Sequence, residues 1–147
     1  MKGVIDINKY YVAYGSNLDI NDMGYRCPNA LPYKVGRIDH YKLVFRGNLA
    51  TIEPDKKSYV PVLVWKITNS DECNLDYYEG YPHLYYKKTV KVHCNDGINI
   101  LGLVYIMADN YDKSATSVRY NNTIKQGYKN CGFDLGILEK AIKEANE

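Results

Sequence analysis

Apolar and polar positions change rhythm along this chain. Up to about residue 108 the hydrophobic residues come in short alternating or continuous runs, whereas over the closing segment they recur every three or four positions. The first run, "KYYVAY" within residues 9–14, is aromatic and β-branched and predicts a strand. "YKVGRIDHYKLVFR", the short alternating "LATIEP" and the continuous apolar "YVPVLVWKIT" predict further strands, with Gly47-Asn48 as the turn between the first two. "YYKKTVKVHC" and "INILGLVYIMA" flank Asn95-Asp96-Gly97, a hairpin signal because these residue types tolerate the positive φ of tight turns.

Helical signals are shorter. "NLDINDMGYRC" supports a brief helix or turn before Pro28 and the polar "CPNALP" loop, with Ser16 and Asn17 as its N-cap candidates. "SDECNLDYYEG" opens with Ser70 as an N-cap, places acidic residues in its first turn and ends at Gly80, which predicts a helix of about two turns. Tyr120, Ile124 and Tyr128 share one helical face, Gly132 is a stop, and Leu138, Ala141, Ile142 and Ala145 form one stripe of a last helix. The sum is an α+β fold, one domain over residues 1–147, with six to seven mainly antiparallel strands in a curved, barrel-like sheet and short helices packed outside.

Composition narrows the class. No apolar run approaches the ~18 residues that span a bilayer, and "MKGVIDINKY" lacks the pattern of a secretory signal, so a cytoplasmic protein with no membrane partner is expected. The net charge of +2 is spread evenly, which gives no footprint for nucleic acid. Cys27, Cys73, Cys94 and Cys131 lie far apart with no CxxC, and His40, His83 and His93 are equally scattered, so neither a metal site nor a disulfide framework is expected. The departure from average is 16 tyrosines against two phenylalanines. A buried tyrosine needs a partner for its hydroxyl, so this excess predicts interiors or pockets with polar tips.

Two stretches carry candidate chemistry. In "AYGSNLD" a strand breaks into Gly15, Ser16 and Asn17, an arrangement that points successive backbone amides at one anion; an ordinary strand-to-helix turn is built the same way. In "LDYYEGYP" Glu79 ends a helix among tyrosines, where desolvation and the negative helix end both raise a carboxyl pKa toward the range useful for proton transfer; a surface glutamate is the plain alternative. Asp76 lies three residues earlier and is expected to bond backbone or a neighbouring segment. No serine occupies a nucleophile elbow, and no cysteine has a local base, which disfavours covalent catalysis.

In order, "YVAYGSNLD", "RCP", "LATIEP", "LDYYEGYPHLYYKKTVKV" and "SVRYNNTIKQGYKNCGFD" resemble the gamma-glutamylcyclotransferase family over essentially the whole chain. The resemblance implies a small mixed, mainly antiparallel β-barrel with flanking short helices. It implies that Tyr14, Gly15, Ser16, Asn17 and Leu18 bind the γ-glutamyl moiety, that Glu79 is the catalytic acid/base, and that Tyr85 and Tyr120 are pocket tyrosines, with Tyr86 an alternative register for Tyr85. The implied reaction releases 5-oxoproline and a free amine from a small γ-glutamyl compound, without metal or other cofactor. Val62 or a neighbour stands where the family often has glycine, and Thr116-Ser117 where it commonly has Pro-Ser; both departures bear on pocket shape rather than on the reaction. The alternative is a non-catalytic module that keeps the loop for ligand binding. The leaving amine stays open, its selecting wall being assigned to Tyr81, His83, Tyr85, Tyr86 and residues 21–34, and a monomer or loose dimer is expected.

Overall fold

Continuous β runs separated by tight turns, with few helical segments between them, leave the chain one economical way to bury its apolar faces: a sheet curled onto itself. A computed structural model describes residues 9–147. Among these, β1 (Lys9–Ala13), β2 (Leu31–Arg46), β3 (Leu49–Ile67), β4 (Tyr85–Cys94) and β5 (Asn99–Met107) close a barrel in the order β1-β3-β2-β4-β5. Every neighbouring pair is antiparallel except β5 with β1, which meet parallel at Leu103 and Tyr11. The expected mixed, mainly antiparallel barrel with flanking helices is the observed fold. The reading of the first residues as carrying no leader lies outside the described segment.

Five strands replace the six to seven expected, because "LATIEP" and "YVPVLVWKIT" are parts of one strand, β3. The register runs from Tyr41 opposite Pro54 to Asp39 opposite Tyr59, so His40 alone in β2 faces the four residues 55–58 in β3. Asp55 closes this bulge by accepting from Lys57 N at 3.1 Å and Ser58 Oγ at 3.0 Å, which explains why a polar stretch interrupts the apolar pattern without ending the strand. On either side the pattern is apolar: Ile52, Val60, Val62 and Val64 are fully buried, each worth about 1.5–3 kcal/mol relative to exposure.

Four helices flank the barrel: α1 (Ile20–Arg26), α2 (Asn69–Glu79), α3 (Val118–Cys131) and α4 (Leu135–Ala145). Two expected caps move. Ser16 and Asn17 lie within a single 3-10 turn, Ser16–Leu18, and it is Asp19 that caps α1 by accepting from Asp22 N at 3.0 Å. Helix α2 is capped by Thr68 instead of Ser70. Thr68 Oγ1 accepts from Asp71 N at 3.1 Å while Asp71 Oδ2 accepts from Thr68 N at 3.0 Å, a reciprocal pair that Ser70 has no equivalent for. At the other end Gly80 adopts φ 64°, and Tyr81 N reaches back to Asp76 O at 2.9 Å, so α2 stops directly after Glu79. Ser117 caps α3 by accepting from Tyr120 N at 3.1 Å, Gly132 at φ 75° ends it, and Leu138 and Ala141 of the last helix are buried as the stripe predicts. No helix among the described residues is long and apolar enough to cross a membrane.

Candidate active site

β1 ends where the barrel mouth begins, and the chain turns through Tyr14 and Gly15 into the 3-10 turn. Leu18 N donates to Gly15 O at 3.0 Å, and Asp19 N to Ser16 O at 3.1 Å, but the amides of Gly15, Ser16 and Asn17 are taken up by no other group among the described residues. Three backbone donors at the barrel mouth are therefore left without an acceptor among the described residues. Two close approaches hold them there. A Cβ on Gly127 of α3 would lie 2.4 Å from Leu18 Cβ, so the absence of a side chain lets the turn seat on the helix; a Cβ on Gly15 would lie 3.3 Å from that of Ala50.

Opposite this loop, the last residue of α2 brings Glu79 to the same cavity of about 170 Å³. Its lining includes Tyr14, Gly15, Ser16, Asn17, Glu79, Tyr85 and Tyr120, so seven of the eight positions implied by the resemblance converge. Leu18 does not line it: the side chain is fully buried against α3, where it anchors the turn. Tyr85 is buried and lines the cavity whereas Tyr86, next in an alternating strand, is 41% exposed on the other face. Tyr81 and His83, assigned to the wall, are exposed outside it; the ring of Tyr81 lies 4.3 Å under Lys87 Nζ. The rest of the lining is Tyr11, Leu49, Ala50, Tyr78, Leu84 and Tyr105, and none of residues 21–34, also assigned to the wall, belongs to it.

The cavity is lined by six tyrosines, and their hydroxyls are committed in different senses. Tyr85 donates to Ala50 O at 2.6 Å and Tyr14 to Tyr105 O at 2.7 Å, so each has only its lone pairs left to offer. Tyr120 accepts from Ala50 N at 3.0 Å, and Tyr11 accepts from Asn17 Nδ2 at 2.8 Å, so both keep a proton to give. Burial pushes the phenols of Tyr11, Tyr14, Tyr85 and Tyr120 well up, with nearby Glu79 adding to the effect, so all four are neutral at ordinary pH.

Glu79 has no hydrogen-bond or ion-pair partner among the described residues. Desolvation raises its pKa to about 7, opposed by the positive charge of Arg26. Asp76 is differently employed: it accepts from Tyr105 Oη at 2.6 Å and pairs with Lys87, which also binds Glu72 at 2.7 Å. The neighbouring-segment role expected of Asp76 is the observed one, and the two carboxylates do not act as a pair. Among the described residues no His, Cys, Asp and Glu side chains cluster as metal ligands. The three histidines lie outside the cavity lining, His40 bonding Lys56 O at 3.2 Å and His93 bonding Asn99 at 2.9 Å.

Sequence reasoning missed Tyr11, Tyr78, Tyr105 and Arg26. The tyrosine excess was the available signal for the first three, but which tyrosines meet depends on barrel closure. A sequence profile described as "Gamma-glutamyl cyclotransferase, AIG2-like" matches residues 11–127. The chain belongs to this family. A human relative, "Gamma-glutamylcyclotransferase", is 33% identical over 142 aligned residues, spanning 88% of this chain and 75% of the relative; a bovine relative of the same name is 32% identical over the same shares. A solved structure titled "Gamma-glutamyl cyclotransferase" superposes with a TM-score of 0.84 at 31% identity, covering 92% of this chain and 86% of the other. YkqA from Bacillus subtilis shares the fold, with a TM-score of 0.78 at 19% identity over 95% of this chain and 55% of its own. Membership in the family and the geometry at the barrel mouth thus rest on separate observations.

Proposed function

We propose that this chain is a gamma-glutamylcyclotransferase that releases 5-oxoproline and an amine from a small γ-glutamyl compound. The observation that carries the reading is Glu79: a half-buried carboxyl without a partner, poised near pH 7, facing three unpaired amides across one small cavity.

The chemistry follows from that arrangement. The amides of Gly15, Ser16 and Asn17 hold the substrate's α-carboxylate, which bends the glutamyl chain and sets its α-nitrogen within reach of its own γ-carbonyl. Glu79 in its ionised form takes a proton from the α-ammonium, and the freed nitrogen attacks the γ-carbonyl carbon. As the tetrahedral centre collapses, the bond to the leaving nitrogen breaks and Glu79 returns its proton to that nitrogen; the ring nitrogen then sheds its second proton to the freed amine, so a neutral lactam and an ammonium result. A carboxyl with a pKa of about 7 is half ionised at neutral pH, so one group serves as base and then acid. Tyr120, with its proton uncommitted to Ala50, is the donor suited to the developing oxyanion; Tyr85 and Tyr14 offer lone pairs to the substrate ammonium. No step calls for a cofactor.

The test is a panel of γ-glutamyl amines and peptides incubated with the wild-type protein and with Glu79→Gln, following 5-oxoproline by mass. Turnover of at least one compound is expected, with a loss of at least ~100-fold in the variant. Calorimetric binding without any 5-oxoproline would instead identify a ligand-binding module.

A further inference from the structure

Arg26 closes α1 and is half-buried, yet no carboxylate pairs with it among the described residues. Its Nη1 donates to Asn17 Oδ1, inside the amide loop. Its Cζ lies over the ring of Tyr78, the residue before Glu79, 3.5 Å from the ring centroid. Tyr78 in turn meets Ser16 at 3.1 Å between the two hydroxyls. One side chain therefore touches both halves of the site, the loop through Asn17 and the end of α2 through Tyr78. A guanidinium is suited to this because its edge can donate while its plane stacks; an ammonium has no plane to stack.

We propose that Arg26 is a positioning residue for the Glu79 chemistry, tying the amide loop to the last turn of α2 while keeping a fixed positive charge beside the carboxylate. The assignment rests on Glu79 acting as the acid/base. The surroundings make this charge matter. Glu79 shares its cavity with Tyr11 from β1, Tyr14 from the loop, Tyr85 from β4, Tyr105 from β5, Tyr120 from α3 and Tyr78 from its own helix, all phenols. β3 contributes only Leu49 and Ala50. Among the described residues Arg26 is thus the cation that acts on Glu79, and it holds that carboxyl lower than burial alone would set it.

Arg26→Gln and Arg26→Lys separate the two roles. The glutamine variant loses charge and stack together: kcat/KM falls by about 10- to 100-fold, the scale of a misplaced reacting group, and the acidic limb of the pH–rate profile moves to higher pH. Lysine restores the charge but not the stacked fork, so the limb returns toward wild type while kcat/KM stays low. A glutamine variant within twofold of wild type, or a lysine variant with full activity, overturns the proposal. Two readouts need no turnover. Carboxyl 13C titration should show Glu79 with a higher pKa in Arg26→Gln than in wild type, and amide exchange at Gly15–Asn17 should quicken. If these hold while no γ-glutamyl compound is cleaved, the proposed reaction falls and the tie stands; if cleavage is normal and neither moves, the tie falls and the reaction stands.

Discussion

Replacing Glu79 by glutamine should stabilise the fold, and increasingly so as pH rises. The variant keeps the shape of the side chain and removes its ability to carry charge in a desolvated place. In the folded chain the carboxyl has a pKa of about 7, against an ordinary 4.5. Between those values the folded state binds more protons at this group than the unfolded one, so wild-type stability falls with rising pH. The favourable state is fully present below about pH 4.5 and is lost through pH 7. At about 1.4 kcal/mol per tenfold change in acidity, the rise corresponds to about 3.5 kcal/mol as an upper bound. For a chain of 147 residues that is an advantage for the variant of up to roughly 10 °C in Tm at pH 8 over its value at pH 4.5. Thermal unfolding of both proteins by circular dichroism, in steps from pH 4.5 to 8.5, measures it. A Tm difference that stays flat across that range would refute the desolvation of Glu79 and, with it, the reason for assigning this carboxyl a dual role.

Other perturbations probe the frame around the carboxylate. Gly127→Ala puts a methyl 2.4 Å from Leu18 Cβ, which should cost about 1–3 kcal/mol and lower kcat/KM by displacing the amide loop; an unchanged kcat/KM with normal folding would show that Leu18 does not set the loop's place. Tyr85→Phe removes the donor to Ala50 O at 2.6 Å and should cost about 1–3 kcal/mol, read from urea unfolding, together with a rise in KM; no change in either would mean that water replaces the hydroxyl.

The parts of this fold that were legible in the chain are those decided locally. Gly80 and Gly132 end helices at positive φ, and Gly47-Asn48 and Asn95-Asp96-Gly97 turn hairpins, because few other residues accept those backbone angles. Helix starts were less legible: Thr68 outranks Ser70 only because Asp71 answers it, and Asp19 caps α1 because the preceding turn has already used Ser16 and Asn17. Strand number failed where a solvated bulge at residues 55–58 mimics a loop. For the site, the loop and Glu79 could be named, but their meeting depends on β1 pairing with β3, the strand that leads into α2, a contact remote in sequence. Ala50 illustrates the limit. Its side chain is unremarkable, and it enters the site through its backbone, which gives Tyr120 a donor and Tyr85 an acceptor.

The joint between β1 and β5 carries a consequence of its own. Among the described residues it is made at one register pair, Tyr11 with Leu103, whereas β4 and β5 share nine. Local opening of a fold begins where pairing is thinnest, so this seam is where opening of the barrel is expected first. The amide loop leaves directly from β1, and Tyr14 reaches across to Tyr105 O. On the proposed function, a molecule held by that loop would steady β1 and, through Tyr14, the seam as well. Occupancy and closure become one equilibrium, and slowed deuterium uptake along Tyr11–Ala13 would report how full the site is.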